Sequence, residues 1–346
     1  MILRKFALVI SVFFISLLSV NSSFAEVSRK QYRLLILDSQ KGYPYDEVRA
    51  ALLSSLKGYG YEEGKNLHAT LLVAGNDAQV GEKILSDELM KHPYDAVFVG
   101  GTVATIAAKN VLLGNAAYPV IFASPTDPVG IGVIKDFKSP PFSNFTGVCY
   151  PVPPKARFKF IRRLLPKAKT FGLIYADMPQ SHSYNQWLTE LIANNAEFSD
   201  IKIIFRSVPL ITGEDGDKKM AEVAIPLIKE LDGKVDAFIK PNDQMGTRKQ
   251  FAEVVYRVAS KPLIGITKDD VMGHWGSTAV IYPSHSSIGE QAASMVKAVF
   301  EGKSVASITP EWPKKYGFAI DLPKAHQYKI DVPVELLQLA GENIIK

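Results

Sequence analysis

Short apolar runs alternate along the chain with longer stretches in which apolar residues recur every three or four positions. The runs YRLLIL (32–37), LHATLLV (67–73), DAVFVG (95–100) and YPVIFA (118–123) have strand length, and 44–58, 77–91 and 102–113 between them have helical periodicity. Strands alternating with helices of this size predict βαβ units on a parallel sheet. After SNFTGVCY (143–150) the pattern begins again. Strands TFGLIYA (170–176), IKIIFRSV (201–208), VDAFIK (235–240) and PLIGIT (262–267) alternate with helices 154–165, 182–195, 217–232 and 245–259. The two sets repeat an architecture rather than a sequence. They predict an α/β chain of two Rossmann-like lobes with parallel sheets flanked by helices. The join, KSPPFSNFTGVCYPVPP (138–154), has the Pro, Ser and Asn content of a hinge. Beyond Thr267 come one more strand, TAVIYP (278–283), a helix over 284–301, a proline-rich tail and a last helix from about 333.

The N-terminus follows a different pattern. Arg4 and Lys5 precede an uncharged apolar run from Phe6 to Val20, and Ser23-Phe24-Ala25 has the small-x-small form of a cleavage site. Residues 1–25 are therefore expected to be a secretory signal peptide, with Glu26 the first mature residue. The run is short beside the roughly 20 residues of a membrane span, so an uncleaved anchor is the lesser alternative. No Cys stands at the cleavage point to carry a lipid. The expected product is a soluble periplasmic protein.

Removing the signal leaves 321 residues, a length that suits two domains. The net charge is +5, or +3 without Arg4 and Lys5, and the basic residues are dispersed apart from a small group over Lys155–Lys169. That is too weak a basic field for a nucleic-acid partner. Cys149 is the only cysteine, so no intrachain disulfide exists, and its neighbours Val148 and Tyr150 predict a small buried residue.

Ligands of open α/β sheets bind beyond the carboxyl ends of the strands. There the chain places DSQKGYP (38–44), GGT (100–102), SPTDP (124–128), DMPQSHS (177–183), PNDQMG (241–246) and TKDD (267–270). The candidate contacts from these loops are Ser39, Tyr43, Gly101, Thr102, Ser124, Thr126, Asp127, Asp243 and Thr267. Pro125 and Pro128 push Ser124 and Asp127 out of helical geometry. Asp127-Pro128 also reads as an N-cap followed by proline at the first helical position. Capping and ligand contact are compatible, because a helix N-terminus is itself an anion site. Gly100 and Gly101 allow close approach to the backbone, and Thr102 can cap the helix that begins VATIAAKN. Asp243 either caps the helix after it or meets a ligand ammonium group. Tyr43, Tyr150, Tyr175 and Tyr184 stand at or just after strand ends, and two of the four at most are expected to stack on a ligand. No GxxxxGK, GxSxG or HExxH motif is present, and the six His lack metal-ligand spacing. The expectation is a binding protein with no catalytic residue, metal or cofactor.

The segment DPVGIGVIKDFKSPPFSNFTGV (127–148) resembles the DPV-to-TGV segment of the ABC transporter substrate-binding family that includes tryptophan- and tyrosine-type binding proteins. The tail from Ile288 to Ile345 is similar to that family's C-terminal pattern, and the resemblance spans essentially the whole mature chain. Departures are Asp321 where the family usually has Asn, ADMPQSHS (176–183), of which only Ser183 carries over, and Cys149-Tyr150 where a small Ser is commoner. The resemblance implies the type I periplasmic binding fold, with three crossings between lobes and the helix over 284–301 returning to the first lobe. The implied division is 26–148 with about 278–305 as lobe 1, and 149–277 with about 306–346 as lobe 2. It implies ligand contacts from Thr102, Ser124, Asp127, Ser183 and Asp243. It also implies a monomer that captures a small molecule between the lobes and delivers it to an ABC permease in the inner membrane. A periplasmic sensor that presents its ligand to a membrane receptor is the alternative. The expected ligand is an amino acid with an apolar or aromatic side chain. Its carboxylate would lie on the helix N-termini near Thr102 and Ser124, and its ammonium would face Asp243, with Asp127 second.

Overall fold

In the computed structural model, residues 30–211 and 215–346 are described. The signal segment expected over 1–25 lies outside them. The first sheet is built from β1 (Tyr32–Asp38), β2 (Leu67–Val73), β3 (Ala96–Gly100), β4 (Val120–Ala123) and β5 (Phe145–Val148), in the order β2-β1-β3-β4-β5. Every pair in it is parallel. Between the strands run α1 (Tyr45–Gly58), α2 (Ala78–Lys91), α3 (Thr102–Leu112) and the short α4 (Pro128–Ile131). A parallel sheet is covered on both faces, which is why its inner strands are apolar at nearly every position. Leu34 and Ile36 of β1 pack with Leu52 and Leu56 of α1, whereas Leu35 and Leu37 pack on the other face with Leu85 of α2 and Ala104 and Ala108 of α3.

The second sheet holds β6 (Thr170–Ala176), β7 (Lys202–Val208), β8 (Ala237–Ile239), β9 (Leu263–Gly265), β10 (Ala279–Pro283), β11 (Tyr316–Asp321) and β12 (Ile344–Ile345), in the order β12-β11-β10-β9-β8-β6-β7. Its pairs are parallel except β10 with β11, which is antiparallel. The helices are α5 (Pro154–Leu164), α6 (Pro179–Asn194), α7 (Gly216–Val223), α8 (Ile225–Asp232), α9 (Lys249–Val258), α10 (Asp269–Met272), α11 (His285–Phe300), α12 (Leu322–Gln327) and α13 (Val334–Ala340).

Three features differ from the sequence reading. Strand 278–283 was assigned to the first lobe, but β10 pairs with β9 and β11 inside the second sheet. The crossing falls one step later, at Ser284, whose Oγ accepts the Ser287 N–H and caps α11. α11 returns to the first sheet, where Gly289 lets it ride so close to α1 that a Cβ there would stand 2.3 Å from the Val48 carbonyl oxygen. The segment after it stays there, with Ile308 in the same core and its carbonyl accepting the Thr146 hydroxyl at 2.6 Å, so the chain crosses back near Glu311 rather than at about 306. The proline-rich tail contains the unexpected strands β11 and β12. The helix expected over 217–232 is two helices meeting at Ala224, because Pro226 has no N–H to continue the first.

Three segments join the sheets, and they are hydrogen-bonded to each other. Cys149 N–H donates to the Glu311 carbonyl at 3.1 Å, Glu311 N–H donates to Gly147 at 2.8 Å, and Ser284 N–H donates to Lys315 at 3.0 Å. Cys149 is fully buried among them. No described helix is long and apolar enough to cross a membrane.

Candidate ligand-binding site

Between the two sheets, at the carboxyl ends of their strands, lies a cavity of about 420 Å³. Its first wall is organised by the start of α3. Gly101 adopts φ +91°, and a Cβ there would fall 2.4 Å from the Tyr45 ring. Glycine thus supplies the conformation and lets Tyr45 close against the helix start. Ser39 is fully buried behind this turn: its hydroxyl donates to the Gly100 carbonyl at 2.8 Å and accepts the Ala104 N–H at 3.0 Å. Thr102 Oγ1 accepts the Thr126 N–H at 3.1 Å and lies 3.0 Å from Thr126 Oγ1. The N–H groups of Thr102 and Val103 have no intrahelical acceptor in the first turn, and both residues line the cavity.

Ser124 completes this wall. It holds φ +62°, rare for a residue with a side chain, and its buried Oγ has no hydrogen-bond partner. Strain of this kind is of order 1–3 kcal/mol and persists where the surroundings impose it. Here Ser124 N–H donates to Val148 at 2.8 Å and Tyr150 N–H donates to Pro125 at 2.9 Å, which ties the loop to the hinge.

The second wall rests on a buried ion pair. Lys240 and Asp270 are both fully buried and in contact. Asp270 Oδ2 accepts the N–H groups of Ile266 and Thr267 at 2.7 and 2.9 Å. Lys240 Nζ also donates to the Arg248 carbonyl at 3.0 Å and stands 5.5 Å from the Trp275 ring centre. One pair therefore holds the cavity-lining residues Thr267, Arg248 and Trp275. Thr267 Oγ1 is buried and, like Ser124 Oγ, unpartnered.

Asp243 reaches the cavity, but its oxygens are engaged. Oδ2 accepts Ala176 N–H and Ser181 O–H, each at 2.9 Å, and Oδ1 accepts Gly246 N–H at 2.7 Å. Burial raises its carboxyl to about 6, against the pull of those donors. Two other charged groups line the cavity. Arg248 is half-exposed and pairs with Asp217 at 3.3 Å. Asp269 is exposed and has no ion pair among the described residues.

Four aromatic rings line the space: Tyr43, Tyr45, Tyr150 and Trp275. Tyr43 meets His285 edge-on at 4.8 Å, and Tyr150 stacks on the same ring at 5.8 Å. His285 Nδ1 lies 3.0 Å from Glu47, which anchors all three. Burial pushes up the Tyr43 and Tyr150 phenols, with neighbouring acids adding to it.

Of the residues singled out from the sequence, the structure brings Tyr43, Thr102, Ser124, Thr126, Tyr150, Asp243 and Thr267 to the cavity. Ser39 and Gly101 stand one layer behind and shape α3. The others do not reach it. Asp127 caps α4 through Gly130 N–H at 2.7 Å; burial raises its carboxyl, opposed by that N–H and by the Ser183 hydroxyl, which approaches from the other lobe. Asp127 Oδ2 is buried without a hydrogen-bond partner. Tyr184 is a core residue whose hydroxyl donates to Val152 at 3.0 Å beneath the Arg157 guanidinium. Tyr175 turns to the sheet face that holds Phe205 and His182. Sequence reasoning missed Tyr45, Asn76, Arg248, Asp269 and Trp275. Asp269 stood in the quoted TKDD loop, whereas Trp275 and Asn76 carried no signal beyond their distance from a strand end.

The family model for ABC transporter substrate binding proteins matches residues 41–344. A tyrosine-binding protein of Clostridioides difficile (strain R20291) is 24% identical over 284 residues, spanning 81% of this chain and 76% of the relative. Among solved structures, an ABC domain in complex with L-Trp from Streptococcus pneumonia superposes with a TM-score of 0.67 at 20% identity, covering 92% of this chain and 100% of that one. A ligand-free, open substrate binding protein with adhesive properties from Clostridium difficile gives 0.70 at 20% identity, covering 91% and 98%. These likenesses show the fold, the type I periplasmic binding architecture. The family is one of transport proteins that bind small molecules and work with an ABC permease, not a family of enzymes. With nearly its whole described length matched, the chain belongs to the ABC transporter substrate-binding protein family.

Proposed function

We propose that this protein is exported by its N-terminal leader and captures a small zwitterion between its lobes. The ligand is an amino acid with an aromatic or apolar side chain, handed as cargo by a monomeric carrier to a permease of the inner membrane. One observation carries the reading. A single cavity combines the first turn of α3, with the buried and unpartnered Ser124 hydroxyl beside it, and four aromatic rings. A helix N-terminus favours an anion, here the ligand carboxylate. The rings supply an apolar surface for a side chain. The volume of about 420 Å³ falls in the range of small-molecule sites, roughly 300–1,000 Å³. A sugar would leave the α3 donors without an anion. The names of two relatives, one tyrosine-binding and one seen with L-Trp, point the same way.

A thermal-shift screen against amino acids, sugars and dicarboxylates tests the reading. A ligand at a hundredfold excess over its Kd adds about 2.7 kcal/mol of stability. At about 2–4 °C per kcal/mol for units of this size, that is a shift of several degrees. Aromatic or large apolar amino acids are expected to give it. A shift with sugars or dicarboxylates alone would overturn the proposal.

A further inference from the structure

Two cleft carboxylates compete for the ligand's amino group, and their surroundings separate them. Asp243 accepts three hydrogen bonds, two from backbone N–H groups and one from a hydroxyl, and is buried. Its Oδ2 is filled and Oδ1 keeps one acceptor site on a side chain only 2% exposed, so an ammonium group can gain at most one contact there. Asp269 lines the same cavity, is exposed and has no ion pair among the described residues. Two residues before it, the Thr267 hydroxyl is more than nine-tenths buried, lines the cavity and has no partner. Asp269 is also near enough to Tyr43 and Tyr150 across the cleft to raise both phenols further, after burial.

We infer that Asp269, with the Thr267 hydroxyl of the same loop, receives the ligand's ammonium group and so determines specificity for amino acids, while Asp243 is a clasp of the cleft wall. The inference rests on the amino-acid reading above and names the group within it that selects the amine. Asp269 belongs to the second lobe, and the α3 turn proposed to hold the carboxylate belongs to the first. Both lobes therefore hold the same zwitterion, one charge each, and an analogue lacking the amino group loses the hold of the second lobe.

Calorimetry tests this with the amino acid that binds best in a set of the twenty, and with its analogue lacking the amino group. Both are titrated into the wild type, Asp269→Asn and Asp243→Asn. A hydrogen bond to a charged group contributes about tenfold or more in affinity. The wild type should lose at least that when the amino group is removed. In Asp269→Asn the amino acid should bind about as weakly as the analogue, because partners in one interaction are not additive. In Asp243→Asn the penalty for losing the amino group should persist. An undiminished penalty in Asp269→Asn, or its disappearance in Asp243→Asn instead, overturns the inference and leaves the amino-acid reading standing. Failure of the wild type to bind any amino acid overturns both.

Discussion

Replacing Asp243 by Ala should destabilise the protein more than it weakens binding. The carboxylate is 2% exposed and accepts from Ala176 N–H at 2.9 Å, Gly246 N–H at 2.7 Å and Ser181 O–H at 2.9 Å. The Ser181 hydroxyl retains another acceptor, the Ala176 carbonyl at 2.6 Å. The two backbone N–H groups have no such substitute. Leaving a buried donor unsatisfied costs about 1–3 kcal/mol, so the pair should cost about 2–6 kcal/mol. Relief from holding a buried carboxyl, which is raised to about 6, offsets part of this at neutral pH. A net loss of about 3 kcal/mol is expected. For a cooperative unit of 150–250 residues that lowers Tm by roughly 6–12 °C. Calorimetric unfolding of the unliganded variant measures the first effect, and titration of the variant, below its transition, measures the second. Affinity should fall by less than about tenfold, one charged hydrogen bond's worth. Unchanged melting together with a hundredfold loss of affinity would refute the reasoning and return the ammonium to Asp243.

Three further outcomes follow. Gly101→Ala places a Cβ 2.4 Å from the Tyr45 ring at φ +91°; it should lose about 1–3 kcal/mol from the backbone alone and weaken ligand binding, and unaltered melting would contradict this. Burial raises the Asp38 carboxyl from 3.8 to about 6, so the folded state binds its proton more readily than the unfolded state; its contribution is fully present below about pH 4 and is lost as pH rises through 6. Asp38→Asn should therefore gain on the wild type by on the order of 2 kcal/mol between pH 4 and 7, and a pH-independent difference in melting would count against it. The Cys149 thiol, fully buried and raised well above its ordinary value by burial, should react with a thiol reagent only on unfolding, and Cys149→Ser should bind ligand within a few fold of the wild type.

The alternation of strands and helices was legible because both faces of each sheet are covered, which leaves runs such as Leu34–Leu37 uniformly apolar. Membership of a sheet was not legible. Chain order places 278–283 next to α11, but only pairing with Ile264, Gly265 and β11 assigns it to the second sheet. Strand β11 was hidden by Pro310, Pro313 and Pro323 on either side of it. The loops of the cleft could be found from the strand ends, but the state of each side chain could not. Asp243 and Asp269 look alike in sequence; they differ because Ala176, 67 residues before Asp243, donates to one and not the other. Tyr184 was placed at a strand end, yet α6 begins at Pro179 rather than at 182, and its rotation carries Tyr184 inward with Leu188, one helical turn on.

The cleft is proposed to hold one small zwitterion. Native mass spectrometry of the protein as purified, and again after exchange into amino-acid and sugar mixtures, tests it most directly. A single adduct of one aromatic or large apolar amino acid per chain is expected, lost on unfolding and restored from the amino-acid mixture. An adduct with the mass of a sugar or a dicarboxylate, displaced by no amino acid, would contradict it.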